Sequence, residues 1–116
     1  MLGCDIVEIE RIKKAVSKWG NSFVERILTV AETELYKNRG CKGEFLAGRF
    51  AAKEAVSKAI GCGIGKELSF VDIEVIPNSQ GKPEVALKGE KRDDIFLSIS
   101  HSRDNAMAVC FIKGML

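Results

Sequence analysis

Residues 44–60 restrict the fold of this chain more than any other stretch. They contain no proline and five alanines. Phe45, Leu46, Phe50, Val56 and Ile60 join those alanines to set apolar groups nearly all round a helical cylinder. A helix that is apolar on every side is buried, not laid on a surface. Gly61, Gly63 and Gly65 end it, because glycine favours turns over helix. The rest of the chain has to wrap around this element.

Little chain is left to do the wrapping. The total is 116 residues, the length of one domain. A strand or extended segment at 2–9 precedes a charged helix. In that helix Ile12, Ala15, Val16 and Trp19 fall at helical spacing among Arg11, Lys13, Lys14 and Lys18. Gly20-Asn21 stops it. A second helical stretch covers about residues 22–28. Thr29, with Glu32 three positions on, makes a capping-box pattern for a third helix reaching to about Asn38. After the glycines the period changes to two. Val71, Ile73 and Val75 alternate with Asp72 and Glu74, Asn78-Ser79-Gln80-Gly81 is a turn, and Val85 and Leu87 continue as a hairpin partner. Ile95, Leu97 and Ile99 alternate with Phe96, Ser98 and Ser100; after a turn at 102–105, Met107, Val109 and Phe111 alternate with small residues. Helices first and strands later predict an α+β fold, with N-terminal helices packed on a small antiparallel sheet. So short a chain has little left to cover both faces of that sheet, and the last two strands supply apolar faces that a neighbour would cover.

Composition narrows the class. The chain is 46% hydrophobic and 29% charged, as ordinary globular proteins are. A net charge of +2 gives no bulk argument for nucleic acid. Cys4, Cys41, Cys62 and Cys110 form no CxxC pair, so neither a zinc site nor a disulfide framework is expected. Nothing reads as a signal peptide or a membrane span, which makes the cytoplasm the expected location.

Three residues draw attention as chemistry. Glu54 lies on the buried helix in line with Ala47, Phe50, Ala51 and Lys58. It either pairs with Lys58 one turn on at a solvated edge, or sits among apolar groups and needs a cation. Arg49, Lys53 and Ser57 make a second polar line, and two such lines suggest a charged crevice. Asp5 interrupts the apolar start and is either a solvated edge aspartate or an oxygen ligand for a hard cation. His101, the sole histidine, closes a strand beside Ser100 and Ser102. Gly61-Cys62-Gly63-Ile64-Gly65-Lys66 lacks the spacing of a phosphate-binding loop and follows a helix instead of opening one.

Taken in order, the segments resemble one family. Gly3-x-Asp5-Ile6-Val7-Glu8-Ile9-x-Arg11-Ile12, Phe50-Ala51-Ala52-Lys53-Glu54-Ala55-x-x-Lys58-Ala59, Gly81-Lys82-Pro83 and Leu97-Ser98-Ile99-Ser100-His101 resemble the signatures of the holo-acyl-carrier-protein synthases. The resemblance covers nearly the whole chain and implies a single 4′-phosphopantetheinyl transferase domain at 1–116. It implies transfer of 4′-phosphopantetheine from coenzyme A to a serine of apo-acyl carrier protein, with release of adenosine 3′,5′-bisphosphate, in support of fatty acid biosynthesis. Asp5 and Glu54 are implied as Mg²⁺ ligands, with Lys58 and His101 beside them in the catalytic set. Arg49, Lys58, Gly81, Lys82, Pro83, Ser100, His101 and Ser102 are implied at the coenzyme A site. Arg11, Lys14, Lys18 and Arg26 are implied to dock the acidic carrier. The family's homotrimer, with each active site between neighbouring subunits, is implied as well. Only two residues precede Gly3, so a short first strand is expected. The rival enzyme, a broader phosphopantetheinyl transferase, has two pseudo-repeats where this chain has none. The rival of another class, a non-catalytic basic module, accounts for the lysine-rich first helix but not for Asp5, Glu54 and His101 in family order.

Overall fold

The structure, a computed structural model, describes residues 1–114. Strand β1 (Leu2–Glu8) leads into helices α1 (Ile9–Trp19), α2 (Asn21–Ile27), α3 (Val30–Asn38) and α4 (Gly43–Ile60). A 3₁₀ turn at Phe70–Asp72 precedes strands β2 (Ile73–Pro77), β3 (Pro83–Leu87), β4 (Glu90–Arg92), β5 (Ile95–His101) and β6 (Asn105–Ile112). Among the described residues no helix is long and apolar enough to cross a membrane.

Helix α4 is the buried axis that its composition predicts. Leu46, Ala47, Ala51, Ala52, Ala55, Val56 and Ala59 are wholly inaccessible. Gly61 closes the helix at a φ of 99°, a left-handed conformation that favours glycine, and its N–H donates to the Ser57 carbonyl. The capping box of α3 is present, with Thr29 and Glu32 each accepting from the other's backbone N–H.

Two three-stranded antiparallel sheets stand where a single small sheet is expected, with strand orders β1-β6-β5 and β2-β3-β4. The β2-β3 hairpin pairs with no strand of the first sheet, and it gains a third strand in β4, whose Glu90-Lys91-Arg92 has no apolar alternation to announce it. Lys88 and Gly89, at φ values of 49° and 84°, form a two-residue hairpin that returns β4 onto β3. Val71, read as a strand residue, lies in the 3₁₀ turn instead.

Helix α4 crosses the first sheet from the β5 side to the β1 side. A Cβ on Gly48 would lie 3.2 Å from Ile99 Cγ2, whereas a Cβ on Gly3 would lie 2.2 Å from the Ala55 carbonyl oxygen and 2.6 Å from the Ala59 nitrogen. The strand facing this close contact must be small on its inner side. In β6, Ala106, Ala108, Cys110 and Ile112 are buried. Met107, Val109 and Phe111 therefore point away from α4. They join Leu2, Ile6 and Phe96 in an exposed apolar face, with the Phe96 and Phe111 rings 6.3 Å apart. Ile95 and Leu97, read as part of a face for a neighbour, are buried within the chain. Trp19 also departs from its expected place in the α1 stripe, being 58% exposed with Lys18 Nζ over its ring.

Candidate active site

Gly3 is the reason a carboxylate from β1 meets α4. Its missing side chain lets the strand lie against helix backbone, and Asp5, two residues along the same face, comes beside the helix. Lys58 Nζ donates to Asp5 Oδ1 at 3.0 Å and to the Cys4 carbonyl at 3.1 Å. Lys58 thus answers Asp5, not the Glu54 one turn before it. The hydrogen bond to Asp5 holds the Lys58 ammonium above its ordinary pKa. Burial raises the Glu54 pKa, and the Asp5 charge raises it further against the opposing pull of Lys58 and Arg11. Among the described residues the Glu54 carboxylate has no hydrogen-bonded partner. Two neighbouring carboxylates, one of them half-buried and unanswered, are oxygen donors of the kind a hard divalent cation takes. No group of three or more metal-binding side chains occurs among the described residues. Water and phosphate oxygens would have to complete such a shell, as is usual for Mg²⁺.

The other flank of α4 is cationic. Arg49 is 7% exposed, donates from Nε to the Val75 carbonyl at 3.1 Å, and lies 4.5 Å from the centre of the Phe45 ring. Its pKa is lowered by burial, with Glu32 opposing the shift and Arg39 adding to it. A cleft of about 510 Å³ runs past Arg39, Lys42, Arg49 and His101. A second, of about 350 Å³, shares Arg39 and Arg49 and reaches Gly81, Lys82 and Pro83. The turn before Pro83 is built by Asn78, whose Oδ1 accepts from the Gln80 and Lys82 N–H groups. Four cations facing adjoining clefts suit a ligand with several phosphates.

Arg49 and Glu54, five residues apart, are about 140° apart round the helix. One chain therefore carries two groups on opposite flanks of α4: the carboxylates with Lys58 toward β1, and Arg49 with His101 toward β5. Residues 1–110 match the family model described as the 4′-phosphopantetheinyl transferase superfamily. The chain belongs to this superfamily. A holo-[acyl-carrier-protein] synthase from Geobacillus sp. (strain WCH70) is 50% identical over 116 residues, which span 98% of this chain and 96% of that one. The crystal structure of the Helicobacter pylori holo-[acyl-carrier-protein] synthase in complex with coenzyme A has a TM-score of 0.87 at 42% identity, covering 97% of this chain and 100% of that one. The Bacillus anthracis synthase in complex with CoA (3′,5′-ADP) has a TM-score of 0.83 at 46% identity, covering 96% and 93%.

Within this transferase chain the residues singled out from sequence fall into three places. Asp5, Glu54 and Lys58 meet at the β1 flank. Arg49, Gly81, Lys82, Pro83 and His101 line the clefts at the β5 flank. Ser100 and Ser102 are exposed, and strand alternation turns Ser100 to the face opposite His101. Arg11, Lys14, Lys18 and Arg26 are exposed on α1 and α2, and Arg26 joins Trp19 and Phe23 in lining a shallow hollow of about 240 Å³. The second polar line of α4 forms no crevice beyond Arg49, because Lys53 and Ser57 are wholly buried. Arg39 and Lys42 were missed as cleft residues. Their signal was the basic residues bracketing Gly40, which read only as a helix end.

Proposed function

We propose that this transferase is a holo-[acyl-carrier-protein] synthase that moves 4′-phosphopantetheine from coenzyme A to a serine of apo-acyl carrier protein. The observation that carries the reading is full-length likeness to synthases, two of them solved with coenzyme A or 3′,5′-ADP. The serine hydroxyl gives its proton to a base as its oxygen bonds to the β-phosphorus of the pyrophosphate, and the bond from that phosphorus to the leaving 3′,5′-ADP breaks. The basic cleft suits that leaving group: Arg39, Arg49 and Lys82 offer fixed positive charge to its phosphates. Lys58 offsets charge on a transferring phosphate oxygen. Asp5 and Glu54 would hold magnesium, which when bound supplies charge stabilisation to the phosphates. The exposed cations Arg11, Lys14, Lys18 and Arg26 dock an acidic carrier by charge complementarity. The domain at 1–116 works in the cytoplasm, where coenzyme A and carrier meet.

The active enzyme on this reading is a homotrimer. The carboxylate group and the cationic group lie at opposite edges of one sheet, and the outward face of that sheet is apolar. Head-to-tail contacts between copies close a ring when the rotation allows it. In such a ring the β5 flank of one copy meets the β1 flank of the next, joining both groups in one site and covering the apolar face. The test of function is incubation with coenzyme A, Mg²⁺ and an apo-carrier. Release of 3′,5′-ADP with a matching gain in carrier mass supports transfer, and binding without either product excludes it.

A further inference from the structure

Behind Arg49 lies an ion pair that touches neither cleft. Lys53 and Glu32 are both wholly buried, with Nζ and Oε1 2.6 Å apart. All three Lys53 donors are taken, by Glu32 Oε1, the Ile27 carbonyl at 2.6 Å and the Phe70 carbonyl at 3.0 Å. Glu32 also accepts from the Thr29 N–H at 2.9 Å and, through Oε2, from the Val75 N–H at 2.7 Å. Val75 is the middle residue of β2, an outer strand of its sheet. On the edge where a further strand would pair, its N–H is bound by Glu32 and its carbonyl by Arg49. One β2 residue thus connects the buried pair to the cleft arginine. Among the described residues Arg49 makes no other hydrogen bond, leaving the rest of its guanidinium for the cleft.

We propose that Glu32 and Lys53 are positioning residues for Arg49: they pin the β2 edge at Val75, and so aim the guanidinium at the phosphates of the nucleotide half of coenzyme A. The inference rests on Arg49 belonging to the coenzyme A site. Lys53 stands one helical turn beyond Arg49 on α4, so the pair ties α2, α3, the 3₁₀ turn and β2 to the same helix that carries the arginine. Folding alone would be served by apolar groups of similar volume, since a buried ion pair contributes little net stability over them. What apolar groups cannot supply is an acceptor for the Val75 N–H.

Glu32→Leu/Lys53→Met removes both charges of the ion pair together, so neither partner is left buried without the other. Glu32→Gln is the second variant: one amide oxygen cannot accept from Thr29, Lys53 and Val75 together. The readouts are KM for coenzyme A, KM for carrier, 3′,5′-ADP binding by calorimetry and thermal melting, with Arg49→Lys measured alongside. We expect the folded variants to raise KM for coenzyme A and weaken 3′,5′-ADP about tenfold, the equivalent of one charge-assisted hydrogen bond, with KM for carrier unchanged. Combined with Arg49→Lys, they should add almost nothing. If the variants melt earlier but bind 3′,5′-ADP as tightly as the parent, the pair serves folding alone. Failure of both variants to fold leads to the same conclusion. If Arg49→Lys itself leaves coenzyme A binding intact, the coenzyme A assignment fails and takes this inference with it. An Arg49 effect without a Glu32 effect sinks the inference only.

Discussion

Replacing Gly3 with alanine drives a methyl group into the backbone of α4. The new carbon would start 2.2 Å from the Ala55 carbonyl oxygen, 2.6 Å from the Ala59 nitrogen and 3.1 Å from Lys58 Cβ. The two nearest atoms are backbone at wholly buried Ala55 and Ala59, so neither can swing away. Strand β1 must move instead, far enough to lengthen 2.2 Å to at least 3.0 Å. Overpacking of a well-filled core costs about 1–3 kcal/mol, and a rigid backbone contact belongs at the upper end. For a domain of this size about 3 kcal/mol lowers Tm by about 10 °C. The same movement carries Asp5 away from Lys58 and Glu54, and a misplacement of about 1 Å at a reacting centre costs about 10²-fold in rate. Melting followed by circular dichroism, with turnover followed by 3′,5′-ADP release, reads both effects. Gly65→Ala is the control, since a Cβ there meets nothing within 4 Å. If Gly3→Ala melts within about 2 °C of the parent and keeps its turnover, the close approach of β1 to α4 does not set the site.

Four further outcomes are expected. Glu54→Gln removes a half-buried carboxylate that faces Asp5, so magnesium-free protein should melt higher while the Mg²⁺-induced thermal shift and most activity disappear; an undiminished shift would remove Glu54 from the metal site. The raised Glu54 pKa means the folded chain holds that proton more tightly than the unfolded chain. Its contribution in magnesium-free protein is therefore present below the ordinary carboxylate value and lost as pH rises through the raised one, which Glu54→Gln should abolish in a pH series of melts. Arg11→Glu and added salt should each raise KM for the carrier far more than KM for coenzyme A, and a carrier KM that stays flat up to about 0.5 M salt would point to apolar docking. His101→Ala and Glu54→Gln, inactive alone, should regain part of their activity when unfolded and refolded together, as a species sedimenting near three times 12.7 kDa; a fully active monomer rules out the shared site.

Much of this protein can be read along the chain because the responsible physics is local. The burial of α4 follows from its own periodicity, and the start of α3 from Thr29 and Glu32 three positions apart. The Asn78–Gly81 turn, the alternation of β5 and the order of the motifs are likewise visible. The chemistry of Asp5, Glu54 and His101 could be named, but not their neighbours. Lys58 bonds Asp5, which lies 53 positions away, and not Glu54 on its own helix. Lys53 finds Glu32 across 21 positions and vanishes from the surface. That the inner face of β6 is the alanine and cysteine side, with Met107, Val109 and Phe111 left as the outward apolar face, follows from α4 lying too close to admit the large residues. Spacing rules describe which side chains of one element share a face. Which face turns inward, and which charge meets which, depends on the distance between elements, and that distance arises only when glycine and alanine contacts such as Gly3 on Ala55 close in three dimensions.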